Sequence, residues 1–185
     1  QIFSADKLEV IFFDVGQGDS IFIQTPSQKQ ILIDGGPNAL VLEKIGRQMG
    51  YWDRVLDLVI LTHPDQDHLA GLVEVLDFYQ VELILTSGFQ KDSRLFEKWQ
   101  EKIKDLKIKQ AQAGQLIDFG DGVKMEILWP NPNCLKEEKK ANNCSVVGRL
   151  LFGKSRLLLT GDIEKEIELK LTEENIQAQV LKIAH

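Results

Sequence analysis

Short apolar runs separated by turn formers open the chain. Residues 8–13 ("LEVIFF"), 20–24 ("SIFIQ") and 30–34 ("QILID") are rich in β-branched and aromatic side chains, and "DVGQGD" and "TPSQK" divide them. The pattern predicts a meander of antiparallel strands. Leu40, Ile45 and Met49 recur at helical spacing over 39–50, where Gly50 closes a predicted helix. The near-continuous apolar run "VLDLVILT" at 55–62 predicts a strand covered on both faces. A helix over 68–79 follows, with Leu69, Leu72, Val73 and Leu76 on one side. Then come a strand at "VELILT" and an amphipathic helix at "SRLFEKWQEKIKDL", with Leu95, Phe96, Trp99 and Ile103 turned inward.

The second half predicts strands at "KIKQAQ", "QLIDF" and "VKMEILW", the last two joined by a hairpin at "GDG". "SVVGRLLF" and "SRLLLT" form a second hairpin through "GK". "GDIEKEIELKL" starts a helix with acids in its first turn, as the helix dipole favours, and "AQVLKI" is the closing strand. Each half runs strands first and then mixes strand with helix. The expected fold is therefore α/β (α+β), two sheets packed face to face with helices outside.

A chain of 185 residues suits one domain with a real core. No stretch is long and apolar enough to cross a bilayer, and residues 1–20 lack a signal-peptide pattern. Gln1 at one end and the apolar run before His185 at the other read as trimmed ends of a longer parent. A net charge of −6 argues against holding nucleic acid by diffuse electrostatics, while leaving room for a phosphate met by bound cations. Cys134 and Cys144 match no CxxC metal pair. Two free thiols are the default expectation, with a disulfide the alternative in an oxidising compartment.

Apolar strands here repeatedly end in an acid or a histidine: Asp34 in "ILIDGG", His63 in "VILTHPDQDH", Asp162 in "LLLTGD" and His185 in "VLKIAH". Strand ends gathered on one rim converge on one cleft. Imidazole nitrogen and carboxylate oxygen are what a catalytic divalent ion needs. In His-x-Asp-x-Asp-His, alternating residues can face one ion while Asp67 and His68 reach a second, and Asp162 can bridge the two. Such a pair, about 3.5–4 Å apart, would hold a hydroxide between its ions for hydrolysis.

"HPDQDH" resembles the His-x-His-x-Asp-His signature of the metallo-β-lactamase fold, an αββα sandwich. "FFDVGQGDSIFIQT", "ILIDGG", "LTHPDQDHLAGL", "NNCSVV", "LLLTGDIEKEIE" and "VLKIAH" occur in the order of its ComEC/Rec2-type branch in bacterial competence proteins, from about residue 8 to residue 185. The resemblance implies that His63, Asp67 and His68 fill the signature, with Asp67 and His68 at the second metal. Asp65 stands where the wider fold has its second histidine. Asp34 matches a supporting aspartate beneath the site, Asp162 the bridging ligand and His185 the terminal histidine ligand. Asn143 and Ser145 match the branch's third motif, and one or the other is expected to donate a hydrogen bond to a phosphate oxygen.

With no third-motif histidine, the first metal is left to His63, Asp65 and Asp162. That oxygen-rich set favours Mn²⁺ or Mg²⁺, with Zn²⁺ the alternative at the second position. By resemblance, the chain is one metal-dependent domain over 1–185, its C-terminal part past His185 missing, carrying two divalent ions and cutting single-stranded DNA during uptake. Asp67 would orient the nucleophile, and the domain would face outward from a bacterial membrane parent. A hydrolase of small esters, lactones or β-lactams, and a non-catalytic DNA-guiding module, are the competing readings.

The blander assignments are specific too. Asp162 alone reads as a helix N-cap. "DVGQGDS" lacks GxGxxG and reads as a turn, with Asp14 and Asp19 given little weight for the site. Trp52, Trp99 and Trp129 read as core or loop anchors, and "KEEKK" at 136–140 as a solvated loop near the cleft.

Overall fold

A computed structural model describes residues 7–138, 140–172 and 176–183. The first half contains β1 (Glu9–Phe12), β2 (Ile21–Gln24), β3 (Gln30–Ile33), α1 (Leu40–Gln48), β4 (Val55–Leu56) and β5 (Leu58–Leu61). It continues with α2 (Gln66–Val75), β6 (Gln80–Val81), β7 (Ile84–Thr86), α3 (Arg94–Ile103) and β8 (Ile108–Gln110). The second half contains β9 (Leu116–Asp118), β10 (Val123–Trp129), α4 (Cys134–Glu137), β11 (Val147–Phe152), β12 (Ser155–Leu159), α5 (Lys165–Thr172) and β13 (Val180–Lys182).

The antiparallel meander β1-β2-β3 continues through parallel β5, β7 and β8 into one six-stranded sheet. The second sheet runs β13-β12-β11-β10-β9, antiparallel except for the β12–β13 pair. Alternation along the strands builds the layers. Phe22, Leu32, Val59 and Leu61 point outward against Val41 and Ile45 of α1, Leu69 and Leu72 of α2, and Phe96 and Trp99 of α3. Ile21, Ile23, Ile31, Ile33 and Ile60 point the other way, onto Val123, Met125, Ile127 and Leu150 of the second sheet. The outer face of that sheet carries a third cluster, with Val147, Ile163, Ile167 and Leu171. This is the αββα order expected, with β5 buried along its whole length.

Several local features depart from expectation. The run at 55–62 is two strands, because Asp57 leaves the ladder to accept from the Gln30 backbone N–H at 2.8 Å and from Lys29 at 2.6 Å. Trp129 should share a face with Ile127, but a bulge between them turns its ring into the third cluster. There its indole N–H donates to the Asn143 carbonyl at 2.6 Å. Trp99 is core, whereas Trp52 is 90% exposed and no core anchor, its ring T-shaped against that of Tyr51. Cys134 and Cys144 form a buried disulfide, not the free thiols of the default reading. Among the described residues, no helix is long and apolar enough to cross a membrane.

Candidate metal centre

The parallel strands β3 and β5 end on the rim where β12 and β13 also end. Asp34 follows β3, Thr62 and His63 follow β5, Asp162 follows β12, and Lys182 closes β13. Asp19 and Ser145 reach the same rim just ahead of β2 and β11, the antiparallel neighbours of β3 and β12. The two sheets are joined there by the Val146 N–H donating to the Thr62 carbonyl at 3.0 Å. Gly161 permits this approach. Its φ is +54°, and a Cβ on it would lie 2.9 Å from that of Ser145.

α2 starts inside the sequence motif, two residues earlier than expected, so Asp67 and His68 sit in its first turn. Its docking is a backbone event. The Gly35 N–H donates to the His68 carbonyl at 2.8 Å, and the Gly71 N–H to the Gly36 carbonyl at 3.0 Å. A Cβ at Gly71 would come within 1.8 Å of the Gly35 oxygen, so only glycine lets the helix settle here. This contact places the His68 ring over Asp34.

Asp34 is fully buried and holds a left-handed backbone, φ 55°, which aspartate tolerates better than most residues. Its Oδ1 accepts from the Thr62 N–H at 2.8 Å, and its Oδ2 from the Thr62 hydroxyl at 2.6 Å and His68 Nδ1 at 2.8 Å. With its hydrogen given to Asp34, the Thr62 oxygen is left as the acceptor for His63 Nδ1–H at 3.0 Å. That fixes the His63 tautomer and turns a bare Nε2 lone pair into the site. Among the described residues this buried Nε2 has no hydrogen-bond partner, as suits a metal-ligand atom. His68 Nε2 meets Asp162 Oδ2 at 3.1 Å.

Electrostatics separates the two rings, whose centroids are 4.1 Å apart. Burial, helped by the neighbouring His68 charge, holds the His63 imidazole down at about 4. Burial opposes charge on His68 too, but Asp34 and Asp162 outweigh it and push that ring up to about 10. Burial alone would raise Asp162; His68 and Lys182 hold it instead well below the carboxylate range. Lys182 lies against Asp19, 3.4 Å from Asp162 Oδ1 and 3.1 Å from the Gly161 carbonyl. Burial nonetheless raises the Asp19 carboxyl.

The ligand atoms of His63, His68 and Asp162 all lie within 4.8 Å of one another, as do those of Asp19, Asp34 and His68. The first trio suits a cation, since Asp34 is committed to Thr62 and His68, and Asp19 to Lys182. Asp65 Oδ2 stands 3.9 Å from His63 Nε2, while its Oδ1 pairs with Lys91 at 2.6 Å. Asp67 belongs to neither trio; its backbone carbonyl runs against the Gly18 turn. α5 begins only at Lys165, so Asp162 lies in the turn ahead of it.

Asn143 and Ser145 are buried. The Asn143 amide donates to Glu138 at 3.1 Å and accepts from the Glu164 N–H at 3.3 Å. The Ser145 hydroxyl accepts from the Asp162 N–H at 3.4 Å. His185 lies outside the described residues. Asp19 and Lys182 are the contacts that sequence reasoning undervalued: both flank apolar strands, the same signal that exposed Asp34 and Asp162.

Residues 13–181 match the model of the family described as the metallo-beta-lactamase superfamily. Over 96% of its length the chain is 30% identical to ComE operon protein 3 of Bacillus subtilis (strain 168), covering 25% of that protein. Over 97% it is 27% identical to competence protein ComA of Neisseria gonorrhoeae, covering 24%. The chain thus spans about a quarter of the length of these relatives. The structure of Zn(2+)-bound PqqB from Methylobacterium extorquens superposes with a TM-score of 0.58 over 90% of this chain and 59% of that one, at 16% identity. With a rim of imidazoles and carboxylates between two sheets and a family match over nearly its whole length, this chain belongs to the metallo-β-lactamase superfamily.

Proposed function

We propose that this chain is a metal-dependent phosphodiesterase, the DNA-cutting unit of a competence-type uptake protein. The observation that carries this reading is the buried, unpartnered Nε2 of His63, aimed at the space shared with His68 and Asp162. His63, Asp65 and Asp162 would hold one divalent ion; Asp67, His68 and His185, with Asp162 between, would hold the other. Carboxylates outnumber imidazoles among the described members of this set, which favours Mn²⁺. Zn²⁺, the ion bound in the PqqB structure, is the alternative. When bound, such ions polarise the phosphate and lower the pKa of water.

The protein's own contribution is orientation. Asp34 holds the His68 ring through Nδ1, and Thr62 holds His63 through its Nδ1, so both Nε2 atoms face the cleft. Lys182 takes one oxygen of Asp162 and leaves the other beside His68. We assign Asp67 to orienting the attacking water. Ser145 and Asn143 accept from the Asp162 and Glu164 backbone N–H groups and hold that turn in place, with the Ser145 hydroxyl hydrogen the donor to a phosphate oxygen. Single-stranded DNA is the substrate we assign, in keeping with the relative named competence protein ComA. The Cys134–Cys144 disulfide supports an oxidising, outward-facing location.

The test is cleavage of a single-stranded oligonucleotide with Mn²⁺, beside nitrocefin hydrolysis. The expected result is DNA cutting that Asp67→Ala abolishes, with nitrocefin untouched. Equal cutting by the two proteins, or nitrocefin hydrolysis without DNA cutting, would overturn the reading.

A further inference from the structure

We propose that Lys91 is the substrate-phosphate anchor of this centre, an inference that rests on the phosphodiesterase reading. Asp65 is the coupling element. One of its oxygens holds the Lys91 ammonium at 2.6 Å, and the other lies 3.9 Å from the unpartnered Nε2 of His63. Although Asp65 is the residue immediately ahead of α2, its side chain makes no cap bond to the helix and is left to this bridging position. A cation taken up at His63 therefore shares a carboxylate with an ammonium. The lysine's remaining N–H donors stay available to an acceptor beside that cation.

Lys91 is not a freely swinging surface lysine. It belongs to the segment between β7 and α3, and β7 is parallel to β5, so this segment leaves the sheet on the rim that carries His63. Phe89, two residues before it, packs into the cluster on the outer face of the second sheet. Gln90 is tied by the Gln100 amide at 2.8 Å and itself donates to the Gly88 carbonyl at 3.2 Å. Two residues after Lys91, the Ser93 hydroxyl caps α3 by accepting from the Phe96 N–H at 3.2 Å. The backbone on either side is thus fixed to both layers of the fold.

Exposure distinguishes Lys91 from the site's other lysine. The Lys182 side chain is 9% exposed and already shared among Asp19, Asp162 and the Gly161 carbonyl. The Lys91 side chain is 40% exposed and its partner Asp65 30%, so their pair opens to solvent at the mouth. An ion pair this exposed contributes little to stability, so its placement is not explained by folding energetics. A chain of net charge −6 cannot draw a polyanion by its overall field, and a fixed ammonium beside the cation supplies the local attraction it needs.

The experiment compares wild type, Lys91→Ala and Lys91→Arg in three measurements. These are KM and kcat for single-stranded DNA cleavage with Mn²⁺ across a salt series, DNA binding by anisotropy, and Mn²⁺ affinity by calorimetry without DNA. Lys91→Ala is expected to raise KM about 10- to 100-fold and to weaken DNA binding in parallel. It should flatten the slope of log KM against log salt by about 0.7. Mn²⁺ affinity should be undiminished, since Asp65 loses only a competing cation, and Lys91→Arg should restore KM and slope. A Lys91→Ala KM within twofold of wild type, an unchanged salt slope, or a parallel loss of Mn²⁺ affinity would overturn the anchor and leave the hydrolase reading standing. Lysine-dependent DNA binding without cleavage would do the reverse, and absence of both binding and cleavage would overturn both.

Discussion

His68 Nε2 and Asp162 Oδ2 lie 3.1 Å apart, although 94 positions separate them in the chain. The ring starts a helix against the first sheet, and the carboxylate ends a strand of the second. Their meeting closes the rim into a site. Because Asp162 and Asp34 favour the charged His68 ring, the same contact also sets the pH behaviour of the protein.

For the metal-free protein the two histidines act in opposite directions. His68, raised to about 10, adds stability that is fully present below its unfolded value near 6.5 and is lost as pH climbs toward 10. His63, lowered to about 4, adds stability present above 6.5 and lost as pH falls toward 4. Urea midpoints measured without metal should therefore decline on both sides of neutrality. In the His68→Asn variant the alkaline decline should shrink while the acid one persists.

Metal uptake must displace the His68 proton. At pH 7.5, calorimetry in buffers of different ionisation enthalpy should record release of about one proton per chain on Mn²⁺ binding. Affinity should rise with pH up to about 10. Uptake with no proton released would place the ion away from His68.

Asp34 serves three donors with no access to water. Asp34→Ala leaves them all buried and unpaired and should cost about 3–5 kcal/mol in chemical denaturation. It should also lower metal affinity by about 10- to 100-fold through the loosened His68 ring. Asp34→Asn keeps the size and part of the bonding, and should lose less of both.

The disulfide closes a loop over a sequence separation of 10 between Cys134 and Cys144. Chain-entropy arguments give such a loop about 2–3 kcal/mol. The double Cys134→Ser, Cys144→Ser variant should unfold at correspondingly lower denaturant, and reductant should shift the wild type to the same midpoint.

The layers were legible because alternation assigns each strand residue to one face, as Phe22 against Ile21 and Ile23 illustrates. The convergence of Asp34, His63, His68 and Asp162 was legible for a related reason: a charged or imidazole side chain at the end of a buried run must have a partner. Which partner it has was not legible. Local sequence could not reveal that Asp57 would break the strand at 55–62, nor that a bulge would turn Trp129 away from Ile127. Lys182 escaped notice because lysine is not a metal ligand, and its use here is to hold two carboxylates. The pairings of Asp65 with Lys91 and of Cys134 with Cys144 are likewise set by tertiary contact, which spacing alone does not encode.

Anomalous diffraction at the manganese edge, from crystals grown with Mn²⁺, tests the account at its centre. A peak is expected about 2.0–2.4 Å from His63 Nε2 and from Asp162, with Asp65 drawn toward it. A peak elsewhere on the molecule, or none while His63 Nε2 stays bare, would contradict it.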